Sequence, residues 1–127
     1  MDTKLPIPAN ELDRAMGLSD FNIDYTNTEN NFKDLARLAA SVAGTEISLV
    51  NLIDSYTQWT ISGHGLDIDQ MPREESVCQY TIVEDDHFKV DDLSQDIRFK
   101  DKFYVSQDPK LKYYYGIPLK SNGHNLG

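Results

Sequence analysis

One thiol, three histidines and a cluster of carboxylates are the groups with the most obvious chemical potential in this chain of 127 residues. Cys78 is the single cysteine, so no disulfide forms within the chain and no Cys-rich metal site is possible. On the apolar side of a short helix, such a thiol packs as a small hydrophobe, with covalent or redox chemistry as the rival reading. His64, His87 and His124 lie far apart in turn-like segments, and no pair has metal-site spacing. They read as surface residues, and no metal site is assigned. Asp91, Asp92, Asp96 and Arg98 form a charged cluster. Acid–base catalysis needs paired carboxylates in a pocket with displaced pKa values. The simpler reading has Asp96 capping a helix and Arg98 as counter-ion to Asp91 or Asp92, leaving Arg98 free to face an anionic ligand. Trp59 and the run Tyr113-Tyr114-Tyr115 could stack on a flat ligand, although core packing is the commoner use of aromatic strand residues. Strand alternation sends Tyr114 to the side opposite Tyr113 and Tyr115. No Gly-rich phosphate loop, Ser/His/Asp arrangement or kinase motif is present, and no catalytic residue is assigned.

Composition bounds the partners. Hydrophobic residues make up 39% and charged residues 26%, the balance of one globular domain. The formal net charge of −9 repels phosphate backbones and anionic lipid, so neither nucleic acid nor direct membrane contact is expected. The first ten residues lack the basic and apolar regions of a signal peptide. No apolar run approaches the roughly 20 residues of a membrane-spanning helix. The expected location is cytoplasmic.

The elements that must position these groups follow from periodicity. Residues 1–30 read as an N-terminal helix and linker segment, with Leu12 and Met16 on one side of a helical patch over 10–16 and a turn-rich stretch over 24–31. Phe32, Leu35, Leu38, Ala39 and Val42 recur at helical spacing and predict an amphipathic helix with that stripe buried, capped by Asn30 or Asn31 and ended by Gly44. Residues 47–53 are apolar on both faces, as in a central strand, and 56–62 alternate as its hairpin partner across an Asp54-Ser55 turn. Ser76 with Gln79 is a capping-box pattern opening a helix over 77–83, where Cys78 and Ile82 share a face. A short strand over 88–93, a helix over 96–106 with Phe99 and Phe103 stacked, a strand over 113–119 and a tight hairpin at 121–125 complete the order. Hairpins separated by helices imply an α+β fold, an antiparallel sheet with flanking helices. The hairpin calls for a returning strand, so the last strands are expected to be missing from this chain.

In family order from about residue 10 onward, the chain resembles the GAF family, particularly the version found in bacterial sensor histidine kinases and related signalling proteins. The matching pieces are Asp34-Leu-Ala-Arg-Leu-Ala-Ala40, Ile47-Ser-Leu-Val-Asn-Leu-Ile-Asp54, Gln58-Trp59, Gly65-Leu66, Pro72-Arg73-Glu74, Ser76-Val-Cys78, Val90-Asp-Asp-Leu93, Asp96-Ile-Arg-Phe99, Tyr115-Gly-Ile-Pro-Leu119 and Gly123-His-Asn-Leu-Gly127. The resemblance implies a PAS/GAF-like sensory domain over 31–127, truncated at its C-terminus, that regulates a C-terminal effector and catalyses nothing itself. The effector it implies is a histidine kinase or a cyclic-dinucleotide enzyme. It also implies a small-ligand cavity between the sheet and the short helices, for which Trp59, Cys78, Ile82, Arg98, Phe99, Tyr113 and Tyr115 are the candidate lining. No cofactor is required by the sequence. Family members that attach a tetrapyrrole use a cysteine followed by histidine or tyrosine, whereas Gln79 follows Cys78; those that reduce methionine sulfoxide need several cysteines. The cyclic-nucleotide signature of the family does not assemble. A ligand-free dimerisation module that aligns two effectors is the alternative, with a homodimer as partner.

Overall fold

The computed structural model describes residues 6–25, 32 and 34–127. Its elements are α1 (Glu11–Asp20), α2 (Leu35–Ala43), β1 (Ser48–Ile53), β2 (Thr57–His64), β3 (Gln70–Pro72), α3 (Cys78–Thr81), β4 (Phe88–Val90), α4 (Phe103–Ser106), β5 (Tyr114–Gly116), β6 (Lys120–Ser121) and β7 (His124–Asn125). Short 3-10 turns, Arg73–Glu75 and Leu93–Gln95, precede α3 and follow β4. All strand pairs are antiparallel: β1-β2-β3 as one sheet, β4-β5 as a second and β6-β7 as a third. The fold class is α+β, as the alternation of hairpins and helices requires.

Asp54 organises the β1–β2 turn. Its Oδ1 accepts the amides of Tyr56 and Thr57 at 2.9 and 2.7 Å, and its Oδ2 accepts the Trp59 indole at 2.8 Å. The turn thus satisfies its own backbone donors with one carboxylate. Along β2, Val50 pairs with Ser62 but Asn51 pairs with Thr60, leaving Ile61 as a bulge. The extra residue lets Ile61 and Ser62, neighbours in sequence, both serve the same side. Ile61 joins Leu18, Leu52 and Leu126 in one apolar cluster, while Ser62 Oγ accepts the amide of Ala36 at 3.0 Å. That side carries α1 and α2. On the opposite side of the sheet, Asn51 and Thr60 face α3.

The helix side corrects the expected burial of the α2 stripe. In α2 the buried residues are Ala36 and Ala40, while Leu35, Leu38, Ala39 and Val42 are exposed. Small side chains let the helix axis lie close to the sheet, and the bulge-borne Ser62 fixes it by a backbone bond, which rotates the larger stripe outward. The expected Asn30 or Asn31 cap and the stretch 26–31 lie outside the described residues. Gly44 ends the helix in a left-handed conformation with φ of 71°, as expected. In α1, likewise, Leu12 and Met16 are exposed, and Arg14 and Leu18 are buried.

Arg14 explains that rotation. It is fully buried, and its Nη1 donates to the carbonyl of Ile53 at 2.6 Å. Longer bonds of 3.4 Å reach the carbonyls of Asn125 and Asp54. Its Nε and Nη2 hold both oxygens of Glu11, at 2.8 and 3.1 Å. Arg73 grips the same carboxylate from the other side, at 2.6 and 3.0 Å, and donates to the Asp54 carbonyl at 3.2 Å. With Glu11 and three carbonyls in place, no donor of the buried guanidinium is stranded, which is the condition under which its burial is tolerated.

The remaining strands are shorter than the sequence suggests. Residues 96–106 form turns and the single turn of α4, not one helix, so Phe99 is in the core while Phe103 is exposed and packs edge-on against Tyr104. Asn122 and Gly123 both have positive φ, 51° and 80°, which closes the β6–β7 hairpin in two residues. His124–Asn125 therefore already forms part of the returning strand. Beyond it, Ile53 N donates to Leu126 O at 2.9 Å, joining this hairpin to β1.

Burial opposes ionisation of Glu11, but hydrogen bonds from Arg73 and Arg14, reinforced by their charges, hold its carboxyl at about 2 against an ordinary 4.5. Because the folded value is the lower one, the stabilisation is complete above pH about 4.5 and is lost as pH falls towards about 2. Urea titrations across that window should show Glu11→Gln losing much less stability on acidification than the unmodified chain. At pH 7, Glu11→Ala should cost about 3–5 kcal/mol, since it strands two guanidiniums. Parallel acid profiles, or a cost under about 1 kcal/mol, would show the clamp to be inert.

Candidate functional site

On the side of the sheet facing α3, a ladder of polar side chains crosses an apolar interior. Thr60 Oγ1 donates to Asn51 Oδ1 at 2.7 Å. Asn51 Nδ2 in turn donates to Cys78 Sγ at 3.4 Å. The thiol lies 3.2 Å from the Tyr114 hydroxyl, which meets Thr81 Oγ1 at 2.7 Å. Four elements supply these groups: β1, β2, α3 and β5. Around them lie Met71, Val77, Val90, Leu93, Phe99 and Val105, with Tyr80, Phe88 and Leu111 at the margin.

Local sequence sets each placement. Ser76 Oγ accepts the amide of Gln79 at 3.2 Å, so the expected cap is present and starts α3 at Cys78. Gln79 closes the box differently, donating from Nε2 to the Ser76 carbonyl at 2.8 Å. Pairing of β4 with β5 sets Tyr114 opposite the buried Val90, which turns Tyr114 inward. Gly116 follows on the same side. A methyl group there would collide with the Tyr114 hydroxyl and stand 2.6 Å from Thr81 Oγ1. Glycine is thus required by the Tyr114 hydroxyl, not by its own backbone angles.

Electrostatically the site is neutral. Burial pushes the Cys78 thiol above its ordinary range. Burial also drives the Tyr114 phenol well upward, with Cys78 reinforcing the shift, and Tyr104 moves in the same direction for the same leading reason. Tyr104 donates to the Glu75 carbonyl at 2.6 Å. At pH 7 these three groups stay protonated, so the thiol is a hydrogen-bonding group and a poor nucleophile. One acceptor on the same side of the sheet has no partner among the described residues: Oε1 of Gln58, a residue only 2% exposed. Gln58 lies between Ile53 and Met71 in the register of β1 and β3. Among the described residues, no group of three His, Cys, Asp or Glu side chains is placed to hold a metal.

Of the residues named from sequence, Cys78 and Phe99 come together around Tyr114. Ile82 is buried and closes α3, its carbonyl accepting from Asn125 Nδ2 at 2.9 Å. Trp59 lies on the other side of the sheet, stacked on Tyr25 with centroids 4.6 Å apart. Alternation from Gln58 puts it there. Arg98 is bound to Asp96 at 3.0 and 2.7 Å, not to Asp91 or Asp92. Its guanidinium carbon also sits 5.0 Å from the rings of Tyr80 and Phe99 and 5.3 Å from Phe88, at the rim of the site. Tyr113 and Tyr115 are exposed on the outer side of β5, Tyr115 stacking on His87. Two open grooves of about 490 and 560 Å³ flank α1, and neither is lined by any of the seven candidate ligand residues named from sequence. Sequence reading missed Asn51, Gln58, Thr60, Thr81 and Tyr114. Their signal was present: Asn51 interrupts an otherwise apolar run, and a tyrosine two residues before a glycine is positioned to lie over it.

No family model matches the chain. It is 34% identical over 123 residues to a cyclic di-GMP phosphodiesterase of Pseudomonas aeruginosa; the match covers 96% of this chain and 21% of that protein. The chain therefore spans about a fifth of the length of this curated relative. Its structure superposes on the A. aeolicus Nlh2 GAF domain, crystallised in an inactive state, with a TM-score of 0.58 and 18% identity, covering 92% of this chain and 75% of that one. The fold is that of a GAF domain.

Labelling rates will report on the ladder. Cys78 in the native chain should react with an aromatic disulfide at pH 8 about 100-fold more slowly than in urea, because the thiolate is suppressed and enclosed. Gly116→Ala should narrow that gap and cost about 1–3 kcal/mol through overpacking. Native labelling as fast as in the unfolded chain would contradict the enclosed thiol.

Proposed function

We propose, from the GAF fold, that this chain is the sensory and regulatory module of a bacterial signal-transduction protein. A small ligand enters the Asn51–Cys78–Tyr114 site, and a C-terminal effector elsewhere in the parent protein reads the result. The observation that carries this reading is the half-buried polar ladder beside the unpartnered acceptor of Gln58. Enclosed polar groups in an apolar wall are how small-molecule sites fix orientation. The site's own groups are neutral, which favours an uncharged ligand able to donate to Gln58 Oε1. The effector favoured is a cyclic-dinucleotide enzyme over a histidine kinase, supported by the relative that matches across 96% of this chain. The module itself is regulatory, and its setting is the cytoplasm; among the described residues no helix is long and apolar enough to cross a membrane.

Transmission has a physical route. Arg73, which grips Glu11 of α1, accepts Ser76 Oγ at its carbonyl at 2.7 Å, and Cys78 follows two residues later. A ligand that shifts Cys78 therefore bears on the same short segment that anchors α1. Such a ligand moves the equilibrium only by its difference in affinity for the two arrangements.

A thermal-shift screen of nucleobases, nucleosides, nucleotides and small metabolites tests the reading, since any ligand of the native state raises Tm. At least one uncharged donor-bearing compound should stabilise the chain, and Gln58→Leu should abolish that shift. The same compound should change cyclic di-GMP turnover by the parent protein. Stabilisation that survives both Gln58→Leu and Tyr114→Phe, or turnover indifferent to the compound, would overturn it.

A further inference from the structure

Three aromatic rings from three parts of the chain surround a single cation. Tyr80 of α3 and Phe88 of β4 lie nearly parallel, their centroids 5.7 Å apart and their planes 20° apart. Phe99 stands across both, at 89° to Tyr80 and 73° to Phe88. The guanidinium carbon of Arg98 sits 5.0, 5.3 and 5.0 Å from the centroids of Tyr80, Phe88 and Phe99. Each distance is inside the roughly 6 Å over which a ring face attracts a cation. Asp96 accepts from Nε and Nη2 of the same guanidinium at 3.0 and 2.7 Å. The Asp96 side chain is 17% exposed and that of Arg98 is 41% exposed. Rings and carboxylate are thus set into the fold, and the cation is the solvent-facing member of the group.

We propose that Tyr80, Phe88, Phe99 and Asp96 form a binding site for a small quaternary ammonium ion, with Arg98 as its built-in competitor. The walls select the ligand class. Ring faces attract positive charge without needing an N–H donor, and Asp96 supplies the counter-charge. A trimethylammonium group has no N–H to satisfy, so it gives up less hydration on entry than a primary ammonium does. An anion would meet both Asp96 and the negative ring faces. The net charge of −9 also draws cations towards the chain from a distance. Arg98 holds its place weakly, because ion pairs and cation–π contacts open to water contribute little. A ligand that takes its place loses affinity only by the fraction of molecules in which Arg98 has already left. Phe99 has no exposed surface with the guanidinium in place, and the ligand's methyl groups would take over that cover. The site lies at the rim, so it does not rest on a ligand reaching Gln58.

Titration of the 127-residue chain with choline at constant ionic strength, followed by the ring-proton NMR signals of Tyr80, Phe88 and Phe99, tests the site. Arg98→Ala should bind choline about tenfold more tightly than the unmodified chain, because the internal competitor is gone. Arg98→Gln, which keeps the aliphatic stem without the charge, should also gain, and it carries the test if the alanine variant does not fold. Adding Asp96→Asn to either variant should remove most of the gain, although the amide oxygen still accepts the backbone N–H two residues on. The uncharged isostere of choline, with a tert-butyl group in place of trimethylammonium, should bind far more weakly. Phosphatidylcholine vesicles probe a lipid head group as the source of the same chemistry: capture by vesicles as well as choline binding assigns the head group, and choline binding alone a free solute. Choline binding by neither Arg98 variant, no gain over the unmodified chain, or equal binding of the uncharged isostere overturns the site. Gln58→Leu should leave choline binding unchanged, so failure here and failure of the Gln58 site are read separately.

Discussion

The carboxylate of Glu11 lies between two guanidiniums, and three distant stretches of chain meet at that point. Arg14 brings α1, Arg73 brings the turn before α3, and the carbonyls of Ile53 and Asp54 bring the end of β1. Asn125 adds the last hairpin. Burying charge is expensive, and removing water from Arg14 is tolerable only because its donors meet Glu11 or a carbonyl. That requirement explains why α1 turns a basic residue inward and leaves Leu12 and Met16 outside. It also explains why the helix cannot slide: Leu18 reaches the Leu52–Ile61–Leu126 cluster only when Arg14 is at the strand end.

From this junction the candidate site inherits its position. Arg73 belongs to the same short segment as Ser76 and Cys78, and the Ser76 cap sets where α3 begins. On the far side, Gly116 admits the Tyr114 hydroxyl and so brings β5 to the thiol. The outcome is a neutral, hydrogen-bonded interior on one side of the sheet and a docked, charged helix on the other. Under the proposed function, the first is the surface to be changed and the second the one to be read.

Much of the scaffold was legible because local rules act alone there. The β1–β2 hairpin, the Gly44 stop and the Ser76 cap each depend on a few neighbouring residues. Orientation was less legible. The stripe Leu35–Leu38–Val42 has helical spacing, but spacing identifies a helix without saying which side meets the sheet; Ala36 and Ser62 decide that through a bulge no periodicity reveals. Trp59 went to the helix side for the same reason, through its register with Leu52. Tyr113 and Tyr115 were separated from Tyr114 correctly by alternation, yet only the pairing with Val90 shows which parity points in. Arg14 and Glu11, three residues apart in α1, were assigned no role from sequence. Their third partner, Arg73, lies 62 residues from Glu11, and sequence gives no sign of that contact.

The most direct test of this arrangement is amide hydrogen exchange along α1. If Glu11 joins the helix to the sheet as described, amides of the later turns of α1 should open with those of β1, at the free energy of global unfolding. Glu11→Gln should then release α1 to exchange well ahead of β1. Exchange of α1 in the unmodified chain at the rate of a fraying terminus, with β1 still protected, would contradict the junction and the route that depends on it.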